Sequence, residues 1–129
     1  MIGYVTLGTN HLPQAVAFYD QLFRTLDIGR FMEEEDRFVA WAPAPDQPSV
    51  AVTVPFDGKP ATVGNGVMVA LYVKTRAEVQ KVYDKALALG GKDEGAPGPR
   101  GNPGSGFYAG YFRDLDGNKL NVFCVETGK

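Results

Sequence analysis

The chain carries one strand-and-helix pattern twice, half a chain apart. Tyr19-Asp20-Gln21-Leu22 near the start recurs as Tyr83-Asp84-Lys85-Ala86-Leu87, 64 positions on in a sequence of 129 residues. The register holds around both copies, with Val5 matching Val69 and Leu7 matching Leu71. In each copy a short apolar strand runs into an amphipathic helix. Self-similarity at a fixed period means a duplicated module. The repeat therefore predicts one small architecture made twice.

Each copy reads as strand, helix and three strands. In the first, Tyr4 to Thr9 alternates as a strand, with Tyr4 and Thr6 on one face and Val5 and Leu7 on the other. Asn10 is placed to cap the next helix, with Pro13 in its first turn, where a missing N–H costs nothing. Ala15, Phe18, Tyr19, Leu22 and Leu26 give that helix one apolar face. Strands are expected over Arg30–Met32, Arg37–Ala42 and Ser49–Val54, with Glu33-Glu34-Glu35-Asp36 as a charged turn. Pro55 to Gly66 is a turn-rich connector.

In the second copy, Val67 to Val73 is the strand, and Thr75 with Glu78 is a capping box for the helix. Val79, Val82, Tyr83, Ala86 and Leu87 make the buried face, and Gly90-Gly91 ends it. Short strand Lys92–Glu94 and longer strands Gly106–Arg113 and Lys119–Val125 follow. Asp114-Leu115-Asp116-Gly117-Asn118 joins the last two as a tight turn. Between Glu94 and Phe107 lies GAPGPRGNPGSG, expected to be a long loop near a binding site.

Composition narrows the partners. Hydrophobic residues make up 44% and the net charge is −2, which suits a globular protein with no basic stripe for nucleic acid. The apolar runs are strand-sized, so no membrane span is expected. Met1 leads straight into a strand pattern without a basic or apolar leader, and Cys124 is the one cysteine. Together these predict a reduced, cytoplasmic protein with Cys124 in the core. His11, alone of its kind, falls at a helix start and reads as solvent-facing.

Five stretches in order carry a family resemblance: Val5-Thr6-Leu7-Gly8, Ala17-Phe18-Tyr19-Asp20, Asn65-Gly66, Val69-Ala70-Leu71 and Arg113-Asp114-Leu115-Asp116-Gly117-Asn118-Lys119-Leu120. At half-chain spacing they resemble the vicinal-oxygen-chelate superfamily of glyoxalase I, bleomycin-resistance proteins, fosfomycin-resistance enzymes and extradiol dioxygenases. The resemblance implies an α+β fold of two tandem βαβββ modules, about 1–57 and 64–127, whose mixed sheets curl into a cup within a single domain. It also implies a cavity, in which metal-dependent members hold a divalent ion through His and Glu side chains. Relatives of this size often pair the modules of two chains, which implies a homodimer.

At the positions matching those ligands this chain has other residues. Tyr4 precedes V-T-L-G where a histidine is usual, Met68 precedes V-A-L where a second is usual, and Asn121 replaces a glutamate. The fourth region, Ser49 to Val54, offers only Ser49 and Thr53. Zn²⁺, Ni²⁺ and Fe²⁺ want imidazole and carboxylate, and Mg²⁺ and Mn²⁺ want charged oxygens. The expectation is no metal and no other cofactor.

The candidate ligand-binding residues share faces with those positions: Tyr4, Thr6, Met68, Ala70, Tyr72, Tyr111, Arg113, Asn121 and Phe123. Tyr111 falls beside Asn121 if Phe112 pairs with Leu120. Arg100, the single charge in the Gly/Pro stretch, is the candidate partner for an anionic group. Such a lining suits a small organic, flat or aromatic molecule. The alternatives are a lactoylglutathione-lyase-like enzyme with a remodelled site and a homologue whose cavity is simply filled. No residue is assigned a catalytic role.

Overall fold

The sequence forms two sheets of the same topology, each with one helix. The computed structural model describes residues 1–126. In the first half, β1 (Tyr4–Gly8) leads to α1 (Leu12–Arg24), then β2 (Gly29–Glu34), β3 (Phe38–Ala42) and β4 (Ser49–Thr53). In the second, β5 (Val69–Tyr72) leads to α2 (Arg76–Ala88), then β6 (Lys92–Pro99), β7 (Phe107–Arg113) and β8 (Lys119–Val125). The strand orders are β1-β4-β3-β2 and β5-β8-β7-β6. In both sheets the first strand pairs in parallel with the last, and the other pairings are antiparallel. This is the α+β arrangement of tandem βαβββ modules that the repeat predicts. The chain divides into two compact units, Met1–Asn65 and one that begins at Gly66. Among the described residues no helix is long and apolar enough to cross a membrane.

Each helix covers one face of its own sheet. Phe18, Tyr19 and Leu22 of α1 are buried, as are Leu7, Val39, Trp41 and Val52 on the strands. The Tyr19 and Phe23 rings lie 5.6 and 5.8 Å from the Trp41 ring. In the second unit Val79, Val82 and Ala86 of α2 are fully buried, as are Phe112, Leu120, Val122 and Cys124. Each large side chain so buried contributes roughly 1.5–3 kcal/mol of transfer free energy. Burial also pushes the Cys124 thiol up, so it remains a protonated core group.

The caps differ from one unit to the other. Thr75 accepts from the Glu78 amide at 3.1 Å, as the capping box requires, while the Glu78 carboxylate accepts from the Lys74 amide at 3.0 Å. In α1 the cap position is His11, whose side chain makes no capping bond. Asn10 does something else: its amide donates to the Ala61 carbonyl at 3.2 Å and accepts from the Ala61 amide at 2.7 Å. It clamps the connector, where Ala61 supplies a complete peptide partner.

The expected long loop is the largest departure. Strand β6 runs on to Pro99, leaving only 100–106 as the turn before β7. Pairing slips between Asp93 and Gly95 and again between Gly95 and Gly98. An edge strand bonded on one side can hold Pro97 and Pro99, since their missing N–H groups need no partner there. The bulges absorb the extra residues. Glu33 and Glu34 likewise belong to β2, not to a turn.

Candidate functional site

Alternation along β8 separates a packed face from an open one. Leu120, Val122 and Cys124 are fully buried on the side that α2 covers. Lys119, Asn121 and Phe123 take the other side. Across the β7–β8 ladder Phe112 faces Leu120, Tyr111 faces Asn121, Ala109 faces Phe123 and Arg113 faces Lys119. On the parallel side Ala70 faces Asn121 and Tyr72 faces Phe123. One helix-free face thus collects Ala70, Tyr72, Tyr111, Arg113, Asn121 and Phe123. Met68 precedes β5 and is 41% exposed. Tyr4 and Thr6 lie on β1 of the first unit's sheet, where Tyr4 meets the Phe38 ring edge-on at 6.4 Å.

The open face has an aromatic end and a cationic end. Phe123 lies 5.6 Å from Tyr72 and 5.4 Å from Phe107, ring to ring. At the other end the Arg100 guanidinium and the Lys119 ammonium each lie 5.7 Å from the Tyr111 ring centre. Between the ends is Asn121, 2% exposed, whose Oδ1 is buried without a hydrogen-bond partner among the described residues. An acceptor left unmade costs roughly 1–3 kcal/mol.

Arg100 is held in place by the end of strand β6. Its guanidinium donates to the Ala96 carbonyl at 2.6 Å and the Pro99 carbonyl at 3.2 Å. A Cβ on Gly98 would come within 3.0 Å of Arg100 Nη1, and one on Gly95 within 3.3 Å of Tyr111 Cδ1. The two glycines leave the space that Arg100 and Tyr111 occupy. Arg113 is engaged elsewhere: it pairs with Glu94 at 3.2 Å and donates to the Gly117 carbonyl at 2.8 Å. Asp114 and Asp116 are turn residues, with Asp114 Oδ1 accepting from the Asp116 and Asn118 amides at 2.9 Å. Lys119 and Phe107 were missed at the sequence level. The signal was there, since Lys119 continues the alternation two residues from Asn121 and Phe107 four residues from Tyr111.

The family model for the glyoxalase/bleomycin resistance protein/dioxygenase superfamily matches residues 1–122. The chain belongs to that superfamily. A glyoxalase/bleomycin resistance protein from Albidiferax ferrireducens T118 is 30% identical, with a TM-score of 0.85, over 96% of this chain and 98% of that one. A superfamily enzyme from Burkholderia phytofirmans PsJN is 16% identical, with a TM-score of 0.74, over 96% and 98%. Lactoylglutathione lyase from Agrobacterium tumefaciens is 21% identical, with a TM-score of 0.68, over 96% and 92%, and shares the fold. No curated protein matches.

The metal that some superfamily members hold does not fit the donors of this member. Asn121 offers a neutral amide oxygen, Met68 a thioether and Tyr4 a phenol, with only Ser49 and Thr53 on β4. These are poor ligands for a divalent ion that wants imidazole or carboxylate. Among the described residues no group of three or more His, Cys, Asp or Glu could hold one.

Proposed function

We propose that this superfamily member binds a small organic molecule on the helix-free face of its second sheet, without a metal ion. The observation that carries the reading is Asn121. A buried amide oxygen with no donor, flanked by Tyr111 and Ala70 on neighbouring strands, loses free energy in the free protein and regains it when a ligand donates to it. The aromatic cluster of Tyr72, Phe107 and Phe123 beside it supplies apolar area for a flat ligand. A lyase of the glyoxalase type would need ligands these positions lack.

Asn121→Leu tests the reading. A face built only for stability gains from removing the orphan acceptor and loses nothing else. A binding face gains on the order of 1 kcal/mol in thermal or urea unfolding but loses ligand affinity, measured with hits from a small-molecule screen. A variant that binds every hit as well as the parent would remove Asn121 from the site. On metal, protein purified without chelator is expected to carry under about one tenth of an equivalent of Zn, Ni, Fe or Mn. Stoichiometric metal that disappears with Asn121→Leu would overturn the metal-free reading.

The same reading takes the protein as a homodimer. Tyr4, at 62%, and Tyr72, at 65%, expose large aromatic surface on the helix-free faces of the two sheets, and such surface is commonly covered by a partner. A light-scattering mass that stays at the 13.9 kDa of one chain across micromolar concentrations would contradict it.

A further inference from the structure

We infer that the ligand of this face is an aromatic anion, with its charged group at Tyr111 and its ring system at Phe123. The inference rests on the organic-ligand reading above and names the chemical class. Three observations point to it. First, the Tyr111 end holds two cations, Arg100 and Lys119, each 5.7 Å from the ring centre. Neither has a carboxylate partner among the described residues, whereas Arg30, Arg76 and Arg113 each do. Two positive charges near one ring raise the local potential there and favour an anion close to it.

Second, Arg100 is pre-organised. Arginine carries five N–H donors, and the Ala96 and Pro99 carbonyls take two of them. The planar fork is fixed with donors left over, so an incoming oxyanion meets them with little ordering cost. The absence of side chains at Gly95 and Gly98 is what lets the fork lie there. Lys119 adds a second cation on a flexible stem, from the strand on the other side of Tyr111.

Third, the spacing suits an aryl acid. Asn121 and Phe123 are two residues apart on one strand, which is roughly 7 Å, about the length of a fused or substituted ring. The charged end at Tyr111, the acceptor at Asn121 and the aromatic end at Phe123 follow one another across the face. A donor on the ring, such as a hydroxyl, would satisfy Asn121 Oδ1.

The experiment is an amide NMR titration with 2-naphthoate and its neutral isostere 2-naphthamide, following Gly95, Gly98, Tyr111, Lys119, Asn121 and Phe123. Naphthoate is expected to bind about tenfold or more tightly than naphthamide, as a charge-assisted contact implies. Arg100→Met and Lys119→Met should each reduce that preference several-fold and leave naphthamide affinity within about twofold. Gly98→Ala keeps the net charge but crowds Arg100, and it should reduce the preference as well. It also decides the matter if Arg100→Met fails to fold. Equal affinity for the two probes, with shifts on this face, would overturn the anion inference and leave the organic-ligand reading in place. Shifts from neither probe up to millimolar concentration would remove that reading and the inference together.

Discussion

The same dipeptide ties helix to strand in both units, by opposite partners. In the first, Asp20 does the work: its carboxylate accepts from Arg30 at 2.7 and 3.0 Å and from the Trp41 indole at 2.9 Å. In the second, the tyrosine does it: Tyr83 Oη donates to Asp93 at 2.7 Å, while Asp84 only receives the Gln80 amide of its own helix. Both links run from the helix to the second strand of the unit, ten residues on. A repeated scaffold thus retains a connection while exchanging which side chain supplies it. The topology sets where the link must be, and the available partner, cation or carboxylate, decides whether Asp or Tyr makes it.

Removing the two links should have unequal effects. Asp20→Ala leaves the Trp41 N–H without an acceptor at a site 2% exposed and leaves Arg30 with Glu33 alone, so about 2–3 kcal/mol of stability should be lost in urea unfolding. A loss no greater than that of the Tyr83 variant below would break the contrast.

The pH limits should diverge too. Asp20 is held below the usual 3.8 of its carboxyl group, first by the Arg30 hydrogen bond, so its folded pKa is depressed. Its contribution is present above 3.8 and is lost as pH falls through the folded value. Tyr83 is pushed up from 10 to about 12, first by burial and then by the Asp93 hydrogen bond. Its contribution is complete below pH 10 and is lost as pH rises toward 12. Melting curves across both ranges should show the acid loss flattened in Asp20→Ala and the alkaline loss flattened in Tyr83→Phe. If neither variant changes its own limb, neither link is energetic.

The smallest effect is that of Tyr83→Phe at neutral pH. It removes one hydrogen bond whose acceptor faces water, and creates no buried charge. On the order of 0.5–1 kcal/mol should be lost. A larger loss would place the second link on a par with the first.

Much of this was legible in the residues. The repeat, the helix faces around Tyr19 and Tyr83, the Thr75–Glu78 box and the turn at Gly117 (φ 91°) are local patterns, and each appears in the structure. The pairing of Tyr111 with Asn121 followed from strand alternation alone once the hairpin was placed. What misled was composition. A run of glycine and proline reads as loop, yet Gly95 to Pro99 is strand, because the edge of a sheet demands few N–H donors. The bonds from Asn10 to Ala61, 51 positions away, have no local signal at all.

By itself, then, the sequence determined the doubled βαβββ pattern and the residue types on each face, since period and turn chemistry act between near neighbours. Only the tertiary structure decided that Arg100 lies over Tyr111, that Lys119 joins it, that Arg113 is taken up by Glu94, and that Asn121 Oδ1 has no donor among the described residues. Those outcomes depend on the space left by glycines on a neighbouring strand and on which partners the ladder brings within reach. Both are properties of long-range pairing that no local pattern encodes.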